Sequence, residues 1–159
     1  MKLSSEVSPG IIITGVIGLV LATAIYFMSS GFQSRTTLYL GDGIFDVTLA
    51  FDQESRDLGL AGVEELKPNE GLLMAFPTND KWSIWMKDML IPLDIIWLDD
   101  SKRVVYIVED ADPDGGEQAL FTPTKKAKYV VELGAGTVRT QNIKIGRSAI
   151  FSVTRKEVQ

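Results

Sequence analysis

Residues 85–94 read Trp-Met-Lys-Asp-Met-Leu-Ile-Pro-Leu-Asp, and this run constrains the fold more than any other part of the chain. It sets Lys87, Asp88 and Asp94 among residues of core type. A charge buried without a partner is either energetically costly or neutralised, so these three need partners, a surface position or a chemical task. The chain around them is able to bury a core. Of its 159 residues, 45% are hydrophobic and 23% charged, which fits one packed domain plus an appendage rather than disorder.

Cysteine and histidine are both absent. That removes disulfides, His/Cys zinc sites, thiolate nucleophiles and imidazole acid–base catalysis together. Proton transfer would fall to Asp, Glu, Lys or Tyr. No cofactor and no metal site is expected. A net charge of −5 disfavours nucleic acid as a partner, because binding it needs a basic face.

Residues 7–34 carry no charge, and residues 11–28 are apolar apart from Thr14, Thr23 and Tyr26. As a helix that apolar stretch rises about 27 Å, close to a hydrocarbon core of roughly 30 Å. The predicted organisation is a tail over 1–10, a transmembrane anchor over 11–30, a linker over 31–35 and a globular domain over 36–156. A cleaved secretory signal ending at Ala22-Thr23-Ala24 is the rival reading. The apolar run continues past that point through Ile25 to Met28, as an uncleaved anchor would. Lys2 before the segment and Arg35 after it lean to an inside N-terminus and an outside domain.

The remaining sequence alternates short β-rich runs with turn residues. Strands are predicted over 36–40, 44–51, 72–76, 82–86, 93–98, 103–109, 129–133 and 148–154. Gly41-Asp42-Gly43 reads as a hairpin turn. Asp52 reads as the N-cap of a short helix that Gly59 or Gly62 ends. Residues 110–126 read as a long polar loop. The predicted class is α+β and β-rich: a compact antiparallel, barrel-like sheet with one short helix.

Several spaced motifs run through this domain: Arg56-x-x-Gly59-Leu60, Gly71 with Phe76, and Trp85-Met86-Lys87 with Pro92-Leu93-Asp94-Ile95. Later come Tyr129-Val130-x-Glu132-Leu133-x-Ala135-Gly136 and Gly146. Together, over roughly residues 45–151, they resemble domain-of-unknown-function family 192, a prokaryotic family of about this domain size. The resemblance implies a compact β-rich fold with a short helix, and an N-terminal export segment as members often carry. It implies no established activity. The chain departs from the family pattern with Ala61 in place of Met, and with Asp88-Met89 in place of Asn-Thr. Arg147 likewise stands where the family has Asp.

Four charged residues belong to those motifs, Arg56, Lys87, Asp94 and Glu132, and Asp88 stands next to Lys87. On a strand beginning at Leu93, Asp94 points with Ile96 and Leu98, and Glu132 points with Val130. A carboxylate on an apolar face is expensive unless a cation such as Arg56 or Lys87 meets it. The favoured reading is a structural ion-pair network between helix and sheet. The alternative is a polar cleft, edged by an aromatic such as Trp85, in which two carboxylates among Asp94, Glu132 and Asp88 do acid–base work or bind a ligand.

Two weaker signals are set aside. Asp110-x-Asp112-x-Asp114-Gly115 opens like a calcium loop, but its twelfth position is Phe121 and Pro113 stiffens it. Ser83 and Lys87, four apart on a strand, are too distant for a nucleophile–base pair. The function favoured from sequence is a membrane-tethered, extracytoplasmic, non-catalytic binding or accessory module. Its partners would be the bilayer through residues 11–28 and an unidentified protein or small-molecule ligand. A small envelope hydrolase of glycan type is the alternative.

Overall fold

A computed structural model describes residues 34–113 and 120–153. Strands β1 (Arg35–Leu40) and β2 (Gly43–Ala50) form a hairpin closed by the two residues Gly41 and Asp42. Gly41 has φ 62, a left-handed conformation natural to glycine at the first turn position. A Cβ there would lie 2.1 Å from the Gln141 carbonyl oxygen, so the turn also needs glycine for space.

After β2 comes helix α1 (Gln53–Leu58), capped as the sequence predicts. Asp52 accepts from the Ser55 backbone N–H at 2.8 Å, and that bond holds its carboxyl below the usual carboxylate range. Gly59 ends the helix by donating to the Ser55 carbonyl. Strands β3 (Glu70–Asp80), β4 (Ile84–Trp85), β5 (Leu93–Leu98) and β6 (Val104–Ala111) follow. Then come β7 (Leu120–Phe121), β8 (Ala127–Gly134) and the short helix α2 (Thr137–Thr140).

Six strands make one sheet in the order β1-β2-β3-β8-β5-β6, and β4 pairs with β7 in a second, two-stranded sheet. The larger sheet is mixed and open, which corrects the expected antiparallel barrel. The physical reason is the connection over residues 51–69. It is long enough, with α1 inside it, to return the chain to the starting end of β2, so β3 pairs parallel to β2. The strand expected over 148–154 is replaced by isolated bridges: Ile150 with Tyr39 of β1, and Ser148 with Arg103 just before β6. This segment ties the two outer strands at one end without closing the sheet. Inside the region read as one polar loop, β6 extends to Ala111 and β7 forms.

Both faces of the central strands are buried. One face packs Leu38, Phe45, Leu73, Ile96 and Val131 against Val138, Ile143 and Phe151. The other packs Leu72, Met74, Ile95, Trp97 and Val130 against Leu60, Met86 and Met89. Strand β5 is buried at all six positions, which explains its nearly unbroken apolar sequence. Trp97 is fully buried and donates its indole N–H to the Trp82 carbonyl at 2.8 Å.

The predicted tail and anchor, residues 1–30, lie outside the described residues. Arg35, assigned to the linker, already opens β1 and pairs with Asp46 at 3.1 Å. Among the described residues no helix is long and apolar enough to cross a membrane.

Candidate functional site

Two fully buried carboxylates stand out, Asp94 on β5 and Glu132 on β8. The register pairs Asp94 with Leu133 and Ile95 with Glu132. Directly opposed residues share a face and successive residues alternate, so Asp94 and Glu132 point to opposite sides of the sheet. Asp94 shares its side with Ile96, whereas Glu132 shares its side with Ile95 and Val130. They form no catalytic pair.

Asp94 is satisfied by backbone. Its Oδ1 accepts the Asp110 N–H at 2.9 Å and its Oδ2 accepts the Val138 N–H at 2.7 Å. Val138 lies in the first turn of α2, whose N-cap Gly136 has no side chain to offer. Asp94 therefore caps that helix from the neighbouring strand and anchors the end of β6, where Asp110 adopts φ 52. The cation expected beside Asp94 is directed elsewhere. Arg56 donates to the carbonyls of Phe51 and Ala75, the latter at 3.0 Å, and lies 5.2 Å from the Phe76 ring centroid.

Glu132 is different. Neither Oε1 nor Oε2 has a hydrogen-bond partner, and burial alone pushes its carboxyl up to about 8. At neutral pH it is a neutral acid. It is among the residues that line a pocket of about 210 Å³. Helix α1 and its end contribute Arg56, Asp57 and Gly59 to the rim. Met74 and Phe76 come from β3, and Ser83, Ile84 and Trp85 come from β4 and the turn before it. Met89 and Leu120 complete the wall. Phe76 stacks on Trp82 with centroids 4.5 Å apart, which stiffens that side. Desolvation pulls the half-buried Arg56 guanidinium down from its usual pKa, opposed by the charges of Asp52 and Asp57.

Of the residues singled out from sequence, Arg56, Trp85 and Glu132 line this pocket, while Lys87, Asp88 and Asp94 do not. The Lys87 ammonium sits 5.5 Å from the Trp85 ring centroid. Asp88 is exposed at φ 56, a conformation that Asn and Asp tolerate better than other non-glycine residues. The exchange of Asn for Asp noted above therefore keeps a backbone role. Sequence reasoning missed Asp57, Met74 and Met89. The available signal for Asp57 was its place between Arg56 and Gly59.

Gly59 gives the pocket its depth. It has φ 55 and ψ −131, and a Cβ there would lie 3.2 Å from the Met89 methyl and 3.6 Å from Glu132 Oε2. Gly59→Ala is expected to cost about 1–3 kcal/mol through backbone strain, and to narrow the space over Glu132. A fall of several degrees in melting temperature, read by circular dichroism, checks this.

The acidic segment that resembled a calcium loop lies partly outside the described residues. Asp110 instead accepts two bonds from Arg139, at 2.6 and 3.3 Å, and these hold its carboxyl below the usual range. Among the described residues no cluster of three metal-ligating side chains occurs.

Comparison with known proteins places this geometry in context. The chain is 32% identical over 91 residues to a UPF0127 protein of Thermococcus gammatolerans, covering 56% of each. It is 36% identical over 80 residues to a UPF0127 protein of Thermococcus kodakarensis, covering 49% of this chain and 48% of that one. It thus spans about half the length of the curated relatives it matches. Two crystal structures share the fold at TM-score 0.67. One, from Sinorhizobium meliloti, carries a name that proposes a role in transcription regulation; it is 28% identical, with 74% of this chain and 92% of that chain covered. The other, a protein of unknown function from Novosphingobium aromaticivorans, is 25% identical, with 73% and 83% covered. The model of domain-of-unknown-function family 192, described as "Uncharacterized ACR", matches residues 36–151, and the chain belongs to that family.

Proposed function

We propose that this protein is a binding module that holds a small ligand in the pocket above Glu132. One observation carries the reading: a fully buried carboxyl with both oxygens unpartnered lines an apolar-walled cavity. Buried polar groups are normally satisfied, and one left unpartnered beside a concave apolar site is where a ligand that reaches it gains a hydrogen bond. What supports a non-catalytic role is the wall chemistry. The pocket holds one neutral acid, one arginine engaged with backbone carbonyls and one exposed aspartate, with no nucleophile–base pair. The glycan-hydrolase alternative with Asp94 as second carboxylate has the sheet between its two groups. The net charge of −5 gives no support for carrying over the transcription role named for the Sinorhizobium protein.

The module works at a membrane, tethered by residues 11–28 with its domain outside the cytoplasm; the uncharged run over residues 7–34 supports this part. Full-length protein is then expected to stay in the membrane pellet after alkaline carbonate washing, and release as a shortened species beginning near Ile25 would show cleavage instead.

The pocket has built-in reporters. The chain has five methionines, and Met74 and Met89 line the cavity. With ¹³C-methyl-labelled methionine in the full-length protein, a screen of small aromatic and aliphatic compounds is expected to shift Met74 and Met89 saturably and leave Met1 unmoved. If no compound at millimolar concentration moves either signal, the pocket is not a binding site.

A further inference from the structure

We propose that the ligand group seated on Glu132 is a neutral amide-type edge, one hydrogen-bond acceptor and one donor side by side, carried on a small aromatic or apolar body. This deepens the reading of the pocket as a binding site and rests on it.

The first argument is complementarity. An ionised carboxylate buried with no partner is too costly to persist, so the group stands as a neutral acid. A neutral carboxyl presents one O–H donor and one carbonyl acceptor on a single edge. Both Glu132 oxygens lack partners and expose almost no surface, so the matching group has to displace the pocket side chains over them, then accept from one and donate to the other. Carboxamides, lactams and nucleobase-type edges do this; alcohols, ethers and simple hydrocarbons do not supply the adjacent pair.

The second argument is charge. The ionisable side chains lining the cavity besides Glu132 are Arg56 and Asp57, both from α1. Lys87, 5.5 Å from the Trp85 ring centroid, and Asp88, exposed on the following turn, do not line it. On the sheet itself the register neighbours of Glu132 are Leu72 and Ile95. Arg56 and Asp57 offset one another. An amidinium or guanidinium would have to share the cavity with the Arg56 cation and take the proton from Glu132, whereas a neutral amide leaves the protonation of Glu132 unchanged.

The third argument is size and wall. Met74, Phe76, Ile84 and Trp85 offer apolar and aromatic surface, and the cavity measures about 210 Å³. An apolar cavity of about 150 Å³ accepts benzene, so this one admits a ring with one polar group attached.

Benzamide, benzamidinium and toluene test the idea, because they share a ring and differ in the attached group. Each is titrated into the full-length, methionine-labelled protein at pH 6 and pH 9.5, with the Met74 and Met89 methyl signals as readout. Benzamide is expected to bind at pH 6 more tightly than toluene. At pH 9.5 about 3% of Glu132 keeps its proton, so benzamide binding is expected to weaken roughly thirtyfold. Glu132→Gln preserves a donor and an acceptor without ionising, and is expected to bind benzamide equally at both pH values. Benzamidinium binding that tightens as pH rises would overturn the amide assignment and leave the pocket reading intact. Equal affinity for benzamide and toluene in the wild-type protein would also overturn the assignment. Silence of both methyl signals with all three compounds, in wild-type and Glu132→Gln proteins, would overturn the pocket reading along with it.

Discussion

Replacing Asp94 by alanine is expected to lower the melting temperature by more than 10 °C. The side chain is fully buried and accepts two backbone N–H groups, those of Asp110 and Val138. Removing it strands both donors, each at about 1–3 kcal/mol, and leaves a small cavity besides, for a total of roughly 3–5 kcal/mol. In a unit of this size 1 kcal/mol shifts the midpoint by about 4 °C. The loss falls on the junction of β6 and α2, whose only buried residue is Val138. Asp94→Asn keeps one acceptor and turns an amide N–H₂ toward the other donor, so it recovers only part of the loss. A midpoint for Asp94→Ala within ~3 °C of the parent, followed by circular dichroism, would mean the cap contributes little.

The second large effect has the opposite sign. Glu132→Gln is expected to stabilise the protein at neutral pH, and to remove a pH dependence that the parent shows. The carboxyl titrates near 4.5 in the unfolded chain and at about 8 in the folded one. Between those values the unfolded state has released its proton and the folded state has not, so rising pH favours unfolding. Stability from this group is full below the unfolded value and is lost as pH rises to the folded one. The slope is about 1.4 kcal/mol per pH unit, which amounts to something on the order of 3 kcal/mol by pH 7. Glu132→Gln has no such ionisation. The two proteins are expected to melt together near pH 4 and to separate by about 10 °C at pH 7. Parallel melting curves from pH 4 to 8 would show that Glu132 ionises normally in the fold.

These two carboxylates also mark how far the sequence could be read. Strand alternation alone places Asp94 with Ile96 and Leu98, and Glu132 with Val130, and the structure keeps both groupings. The hairpin at Gly41 and the cap at Asp52 were legible for the same reason: each rests on neighbours within a few residues. The partners of Asp94 were not legible. They are backbone groups 16 and 44 residues away, and no side-chain pattern announces a backbone N–H. Asp57 and Met89 were missed because they meet at a pocket only when α1 folds back beside the turn that follows β4.

By itself the sequence determined the β-rich class, the positions of most strands, the face each buried carboxylate takes along its own strand, and the family. The first three follow from periodicity and turn chemistry, which are local, and the family from the resemblance of the spaced motifs. Tertiary structure alone decided that β2 and β3 run parallel, that the sheet stays open, and that Asp94 and Glu132 end on opposite sides of it. Strand order and register join segments distant along the chain, set by loop length and by which faces pack. A shift of one residue between β5 and β8 would bring both carboxylates to the same side.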